Sequence, residues 1–262
     1  MRTPSNALCL LAPLLLTSHV AAMNFEAVHI NGDGKTDGLP PWRLNSVVRI
    51  NGEEKPDGLP PWRLNSVVRT NGAKSPIPVE MFTMSKCPDA RDCVADLVLP
   101  TMAKLFDSGK ITLKPTYIGT PDDSTGGIAC MHGEGECLGN ILQLCAYELY
   151  KPEPKRWLGF TYCMGQKYRQ IPDPAFVESC AREHGMDMKK VSDCASSTEP
   201  NQGVELLRTS ARRAMSLKVK TSCTIAVQGK TVCVRDGGQW KAGCNGSVDE
   251  LVQLIESAYN KQ

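Results

Sequence analysis

The stretch Cys87-Pro88-Asp89-Ala90-Arg91-Asp92-Cys93 places two thiols with five residues between them, directly after the apolar run Ile77 to Met84. A second cluster begins at Cys130-Met131-His132-Gly133-Glu134-Gly135-Glu136-Cys137 and continues through Asn140 to Cys145. It sets thiols beside an imidazole and a carboxylate. Thiols in such company can bridge, ligate a metal or exchange disulfides. Zinc held by Cys130, His132, Cys137 and Cys145 is disfavoured: the spacing is not finger-like, and an oxidising compartment favours disulfides. No metal is expected. The choice between staple and exchange rests on the compartment and on how the chain presents each sulfur.

The amino terminus gives the compartment. Arg2 precedes the apolar run Ala7 to Leu16, and Val20-Ala21-Ala22 supplies small residues for cleavage after Ala22. This pattern predicts a secretory signal peptide over residues 1–22. No later segment reaches the ~20 apolar residues of a transmembrane helix, so no membrane span is expected in the mature chain. Twelve cysteines occur in the 262 residues; Cys9 leaves with the signal peptide and eleven remain. Eleven is odd, so at least one thiol is free or paired outside the chain. Lys plus Arg is 30 against 28 acidic residues, a net +2 that argues against a nucleic-acid partner. Aromatic residues are only 6%, which leaves the core to aliphatic side chains and cystine.

Residues 31–50 and 51–70 are tandem copies identical at 16 of 20 positions, sharing Asp-Gly-Leu-Pro-Pro-Trp-Arg-Leu-Asn-Ser-Val-Val-Arg. Two copies cannot build a solenoid, and their Gly and Pro density opposes regular structure, so residues 23–75 read as a disordered spacer. Gly32 to Gly38 has neither the spacing of a phosphate loop nor, with Leu44 at the twelfth position, the acidic end of a calcium loop.

The elements that must position the thiols begin at residue 76. Ile77 to Met84 predicts a strand, and Val94 to Phe106 a helix kinked at Pro100. Ile111 to Ile118 predicts a second strand, and 136 to about 215 a largely helical region with an apolar stripe of Leu138, Ile141, Leu142, Cys145 and Leu149. Cys223 to Val227 and Thr231 to Arg235 predict a hairpin about Gln228-Gly229-Lys230, with Cys223 and Cys233 nearly opposite. A last helix is capped at Ser247, with Glu250 three residues on. The order fits a disulfide-rich α/β domain over 76–262: a thioredoxin-like sheet with a helical insertion.

The cluster from Cys130 to Cys145 resembles the signature of gamma-interferon-inducible lysosomal thiol reductases, Cys-Gln-His-Gly-x2-Glu-Cys-x2-Asn-x4-Cys. Cys130, His132, Gly133, Glu136, Cys137, Asn140 and Cys145 match it, and Met131 replaces Gln. The resemblance implies a thioredoxin-like fold in a secreted or endolysosomal protein that reduces disulfide-containing protein substrates. It implies an external thiol reductant and no bound cofactor. Carried over, Cys87 is the attacking thiol and Cys93 its partner, although the family's pair has only two intervening residues. Were Pro88 to Cys93 continuous helix, ~9 Å of rise would separate the two thiols and forbid their bond. Asp89 and Asp92 oppose a thiolate, with Lys86 and Arg91 in partial compensation. Cys223 falls where such folds set a cis-proline facing the first thiol. It is thus an active-site neighbour and an alternative partner for Cys87, or else bonds across the hairpin to Cys233. The competing function is a non-catalytic secreted binding protein that keeps the fold and lacks the Cys-x-x-Cys pair. Asn245-Gly246-Ser247 offers a glycosylation acceptor at Asn245.

Overall fold

The computed structural model describes residues 74–124, 126–197, 202–241 and 243–262. The expected signal peptide, and the spacer up to residue 73, lie outside them.

β1 (Ile77–Thr83) is the strand about which the sheet is built. It pairs in parallel with β2 (Ile111–Tyr117), Ile77 opposite Ile111 and Thr83 opposite Tyr117, and antiparallel with β5 (Thr224–Val227). β6 (Lys230–Asp236) and β7 (Gln239–Trp240) complete the order β2-β1-β5-β6-β7. A parallel pair needs a crossover connection. Here it is a helical path of three parts: α1 (Pro88–Cys93), a π-wound segment (Val94–Val98) and α2 (Leu99–Leu105). The sequence predicts this helix only from Val94 and kinks it at Pro100. Instead Pro88 starts it, its fixed φ suiting the first helical position. Leu99 N–H reaches back to Val94 O, a wider turn just before Pro100, which has no N–H to give.

Between β2 and β5 come, among the described residues, a small hairpin, β3 (Thr120–Asp122) and β4 (Gly127–Ala129), and five α-helices. These are α3 (Glu134–Tyr150), α4 (Pro154–Gln166), α5 (Pro174–Glu183), α6 (Met188–Ser196) and α7 (Gly203–Ser216). α7 packs on β2, and the closing α8 (Val248–Asn260) packs on α2 and β1. Ser247 caps α8 as expected, its Oγ accepting from Glu250 N–H. This is the expected thioredoxin-like sheet with a helical insertion. The insert is stapled internally by Cys145–Cys194 and Cys163–Cys180. Its apolar stripe is rotated from the expected one: Leu138 and Leu149 are exposed at 42% and 43%, while Asn140, Gln143 and Leu144 turn inward.

Alternation along β1 divides the core. Ile77, Val79 and Met81 join the main cluster with Leu97, Met102, Leu251 and Ile255. Phe82 and Met84 join a smaller one with Cys87, Ala90, Ile118, Ala214 and Ala226. Glu80 is a buried carboxylate in the same strand. Its burial raises its pKa, but hydrogen bonds from Arg213 and Thr116 outweigh that and hold it below the ordinary carboxylate range. Arg213→Met is therefore expected to destabilise the domain by about 1–3 kcal/mol at pH 7, since it leaves a buried acceptor without its charged donor. A depressed folded-state pKa gives stability that is present above the unfolded-state value and lost as pH falls through the folded one. The difference between Arg213→Met and wild type in urea denaturation should accordingly shrink as Glu80 protonates.

Candidate active site around Cys87

Among the described residues ten cysteines are paired: Cys93–Cys223, Cys130–Cys137, Cys145–Cys194, Cys163–Cys180 and Cys233–Cys244. The thiol left over by the odd count is Cys87. Cys93, expected as its partner, is bonded to Cys223 across a Cα–Cα distance of 6.3 Å. The physical reason is the continuous helix: α1 runs from Pro88 to Cys93 without the loop that would fold Cys93 back onto Cys87. Neither expected partner of Cys223 holds. A bulge between Ile225 and Ala226 shifts the hairpin register, so Cys233 faces Ile225 and Cys223 O accepts from Arg235 N–H.

The segment before Cys87 is fixed from α3. Ser85 N–H donates to Asn140 Oδ1 at 2.8 Å, and Lys86 N–H to Glu136 Oε2 at 3.3 Å. Ser85 Oγ donates to Glu136 O at 3.1 Å. Glu136 is fully buried and also accepts from His132 N–H at 3.2 Å and meets His132 Nδ1 in a short contact. Thus His132, Glu136 and Asn140, three of the signature positions, act together as a clamp on the two residues ahead of the free thiol. Gly133, at φ +82°, turns the chain into α3 where a side chain would be strained. The Cys130–Cys137 bond closes this turn. Gly139, which sequence reasoning passed over, lets α3 approach: a Cβ there would collide with Ile171 and come within 2.6 Å of Ser85 Oγ. No periodicity marks such a glycine; only its place beside Asn140 hints at it.

The opposite wall is Ser222. Met84 N–H donates to Ser222 Oγ at 3.0 Å, and Cys87 Sγ lies 3.6 Å from Ser222 O. The Ser222–Cys223 peptide is cis, at the position where the sequence lacks the cis-proline of thioredoxin-like folds. The acidic residues of α1 are turned to structural use. Asp89 accepts from Gly237 and Gly238 N–H, and Arg235 bridges Asp89 and Asp92. The hydrogen bond from Arg91 holds the Asp92 carboxyl below its ordinary range. Both charges therefore meet Arg235 rather than standing open beside the thiol. Lys86 Nζ donates to Ile171 O at 2.8 Å.

Beside this site runs a groove of about 710 Å³ with Met84, Ile118, Met131 and Ala214 among its lining, and Lys218 and Lys220 along it. Met84, Ile118 and Ala214 belong to the cluster that also holds Cys87. Met131, the residue replacing the signature's Gln, is 74% exposed there.

Residues 78–184 match the family model described as gamma interferon inducible lysosomal thiol reductase (GILT). That stretch contains Cys87 and the whole clamp. A gamma-interferon-inducible lysosomal thiol reductase-like protein of Anopheles gambiae is 30% identical over 140 residues, covering 48% of this chain and 57% of that protein. The gamma-interferon-inducible lysosomal thiol reductase of Carassius auratus is 32% identical over 80 residues, covering 30% of this chain and 32% of that protein. The chain thus spans about half the length of the first relative and a third of the second. Oxidised BdbD from Bacillus subtilis superposes with a TM-score of 0.49 at 16% identity, over 71% of this chain and 89% of that one.

If the GILT signature acts as a clamp, Asn140→Leu should leave Ser85 N–H buried without an acceptor and cost about 1–3 kcal/mol in urea denaturation. The rate at which iodoacetamide modifies Cys87 in the native protein should change with it. Leu149→Ala, on the exposed side of the same helix, should move stability by no more than about 0.5 kcal/mol and leave that rate alone.

Proposed function

We propose that this protein is a thiol–disulfide oxidoreductase of the secretory or endolysosomal space. Its substrates are disulfide-containing proteins, and Cys87 is its attacking thiol. The observation that carries this reading is the position of the leftover sulfur. Cys87 stands at the start of α1 with its preceding residues held by the signature's own His132, Glu136 and Asn140. A thiolate there attacks one sulfur of a client disulfide, forms a mixed disulfide and expels the other client sulfur as a thiolate that takes a proton from water. The groove continuous with the Cys87 cluster gives an unfolded client's apolar segment a place to lie, and Lys218 and Lys220 suit acidic residues beside it. Residues 76–262 form the working domain, and the exposed Asn245 carries its glycan.

One observation favours the competing reading of a binding protein without catalysis: the position three residues after Cys87 is Ala90, not cysteine. Cys87→Ser separates the two. Loss of reduction of a reporter such as the insulin disulfides, with unchanged thermal unfolding, is the expected result. Equal rates in wild type and variant, or none in either, would select the binding protein. Native thiol titration should also find one thiol per mature chain, falling to none in Cys87→Ser.

A further inference from the structure

Given that reading, we infer that Cys87 works as a monothiol, with each mixed disulfide discharged by a separate small thiol rather than by a second cysteine of the chain. Three placements lead to this. A Cys-x-x-Cys pair puts its resolving sulfur three residues along the helix, where side chains are neighbours about 5–6 Å apart. That position is Ala90, buried in the same apolar cluster as Cys87, so a methyl group occupies the resolving place. The next cysteine, Cys93, lies a further turn along α1 and is bonded to Cys223, with both residues at 0% exposure. The remaining cysteines are each paired with one another, leaving no second thiol among the described residues.

The chemistry then balances through an external thiol. Cys87–S⁻ and a client R–S–S–R′ give Cys87–S–S–R and R′–S⁻. A low-molecular-mass thiolate R″–S⁻ attacks the adduct, returning Cys87–S⁻ and leaving R–S–S–R″. A second R″–S⁻ frees R–S⁻ and leaves R″–S–S–R″. Both electrons that reduce the client come from the small thiol, and the protein supplies the accelerated first attack. Oxidised and reduced Cys87 differ only by the adduct, because no internal disulfide forms.

The test uses the full mature chain and oxidised glutathione as the probe, followed by intact mass. One glutathione per chain should add to wild type, remain after excess probe is removed, and leave only on addition of free cysteine, at a rate first order in that cysteine. Ala90→Cys supplies the missing neighbour. At about 10 μM external thiol it should discharge its adduct on the order of a hundredfold faster than wild type, because a tethered thiol acts at about millimolar effective concentration. A wild-type adduct that discharges without added thiol, leaving a bond from Cys87 to Cys93, Cys130 or Cys223 on peptide mapping, overturns the monothiol mechanism and keeps Cys87 as the attacking thiol. Absence of any adduct in both proteins overturns the attacking role itself. Should Ala90→Cys fail to fold, the persistence and thiol order of the wild-type adduct decide the matter alone.

Discussion

A carboxylate with no exposure to water must find its hydrogen bonds inside the protein, and Glu136 finds them on both sides of the site. It accepts from His132 within its own turn and from Lys86, 50 residues earlier in the chain. That requirement brings the first turn of α3 against the β1–α1 connection. Everything else at the site follows from this meeting. Asn140 lies one helical turn beyond Glu136 and takes the adjacent amide of Ser85. Gly139 must lack a side chain because Ser85 and Ile171 occupy its space. The signature is therefore a device for holding two backbone amides, and its spacing is that of one face of a helix.

Disulfides fasten the rest of the domain around a core that buries Trp157, Tyr117, Phe82 and Phe160. Cys93–Cys223 joins residues 130 apart, and a closed loop of that order is worth roughly 4–5 kcal/mol in the chain-entropy account. It fastens the helix that begins at Cys87 to the strand whose preceding residue, Ser222, faces the sulfur. Arg235 reinforces the same junction, with Trp240 beneath its guanidinium and Asp89 and Asp92 around it. The thiol sits between the clamp and this junction, which is why its surroundings are set by four separate stretches of chain.

The strands of β1 and β2, the closing hairpin, the helical character of the insert and the last helix were legible in the sequence because each depends on local pattern. Ile77 to Thr83 reads as a strand, and Ser247 with Glu250 reads as a helix start, without knowledge of neighbours. The cysteine pairing was not legible. It turns on one bulge, which moves Cys233 from opposite Thr224 to opposite Ile225 and so further from Cys223, and on α1 beginning at Pro88 rather than at Val94. Neither has a strong local signal: bulges arise from tertiary fit, and Pro88-Asp89-Ala90 reads equally as loop or first turn. The odd cysteine count was the stronger guide. It requires a thiol that is free or paired outside the chain, and the fold leaves Cys87 as that thiol.

The clamp and the resolving thiol are separable in this architecture because they stand on different elements. Glu136 and Asn140 act from α3 on Ser85 and Lys86, and none of their bonds involves residue 90. Replacing a resolving cysteine by alanine therefore leaves the presentation of the first sulfur untouched, since the methyl of Ala90 packs in the apolar cluster without disturbing a hydrogen bond. The opposite change would be costly, because losing Glu136 strands the amides of His132 and Lys86. A chain of this kind can lose its second thiol while every signature position stays in place. The signature positions thus set how Cys87 is held, and Ala90, three places after it, lies outside that clamp.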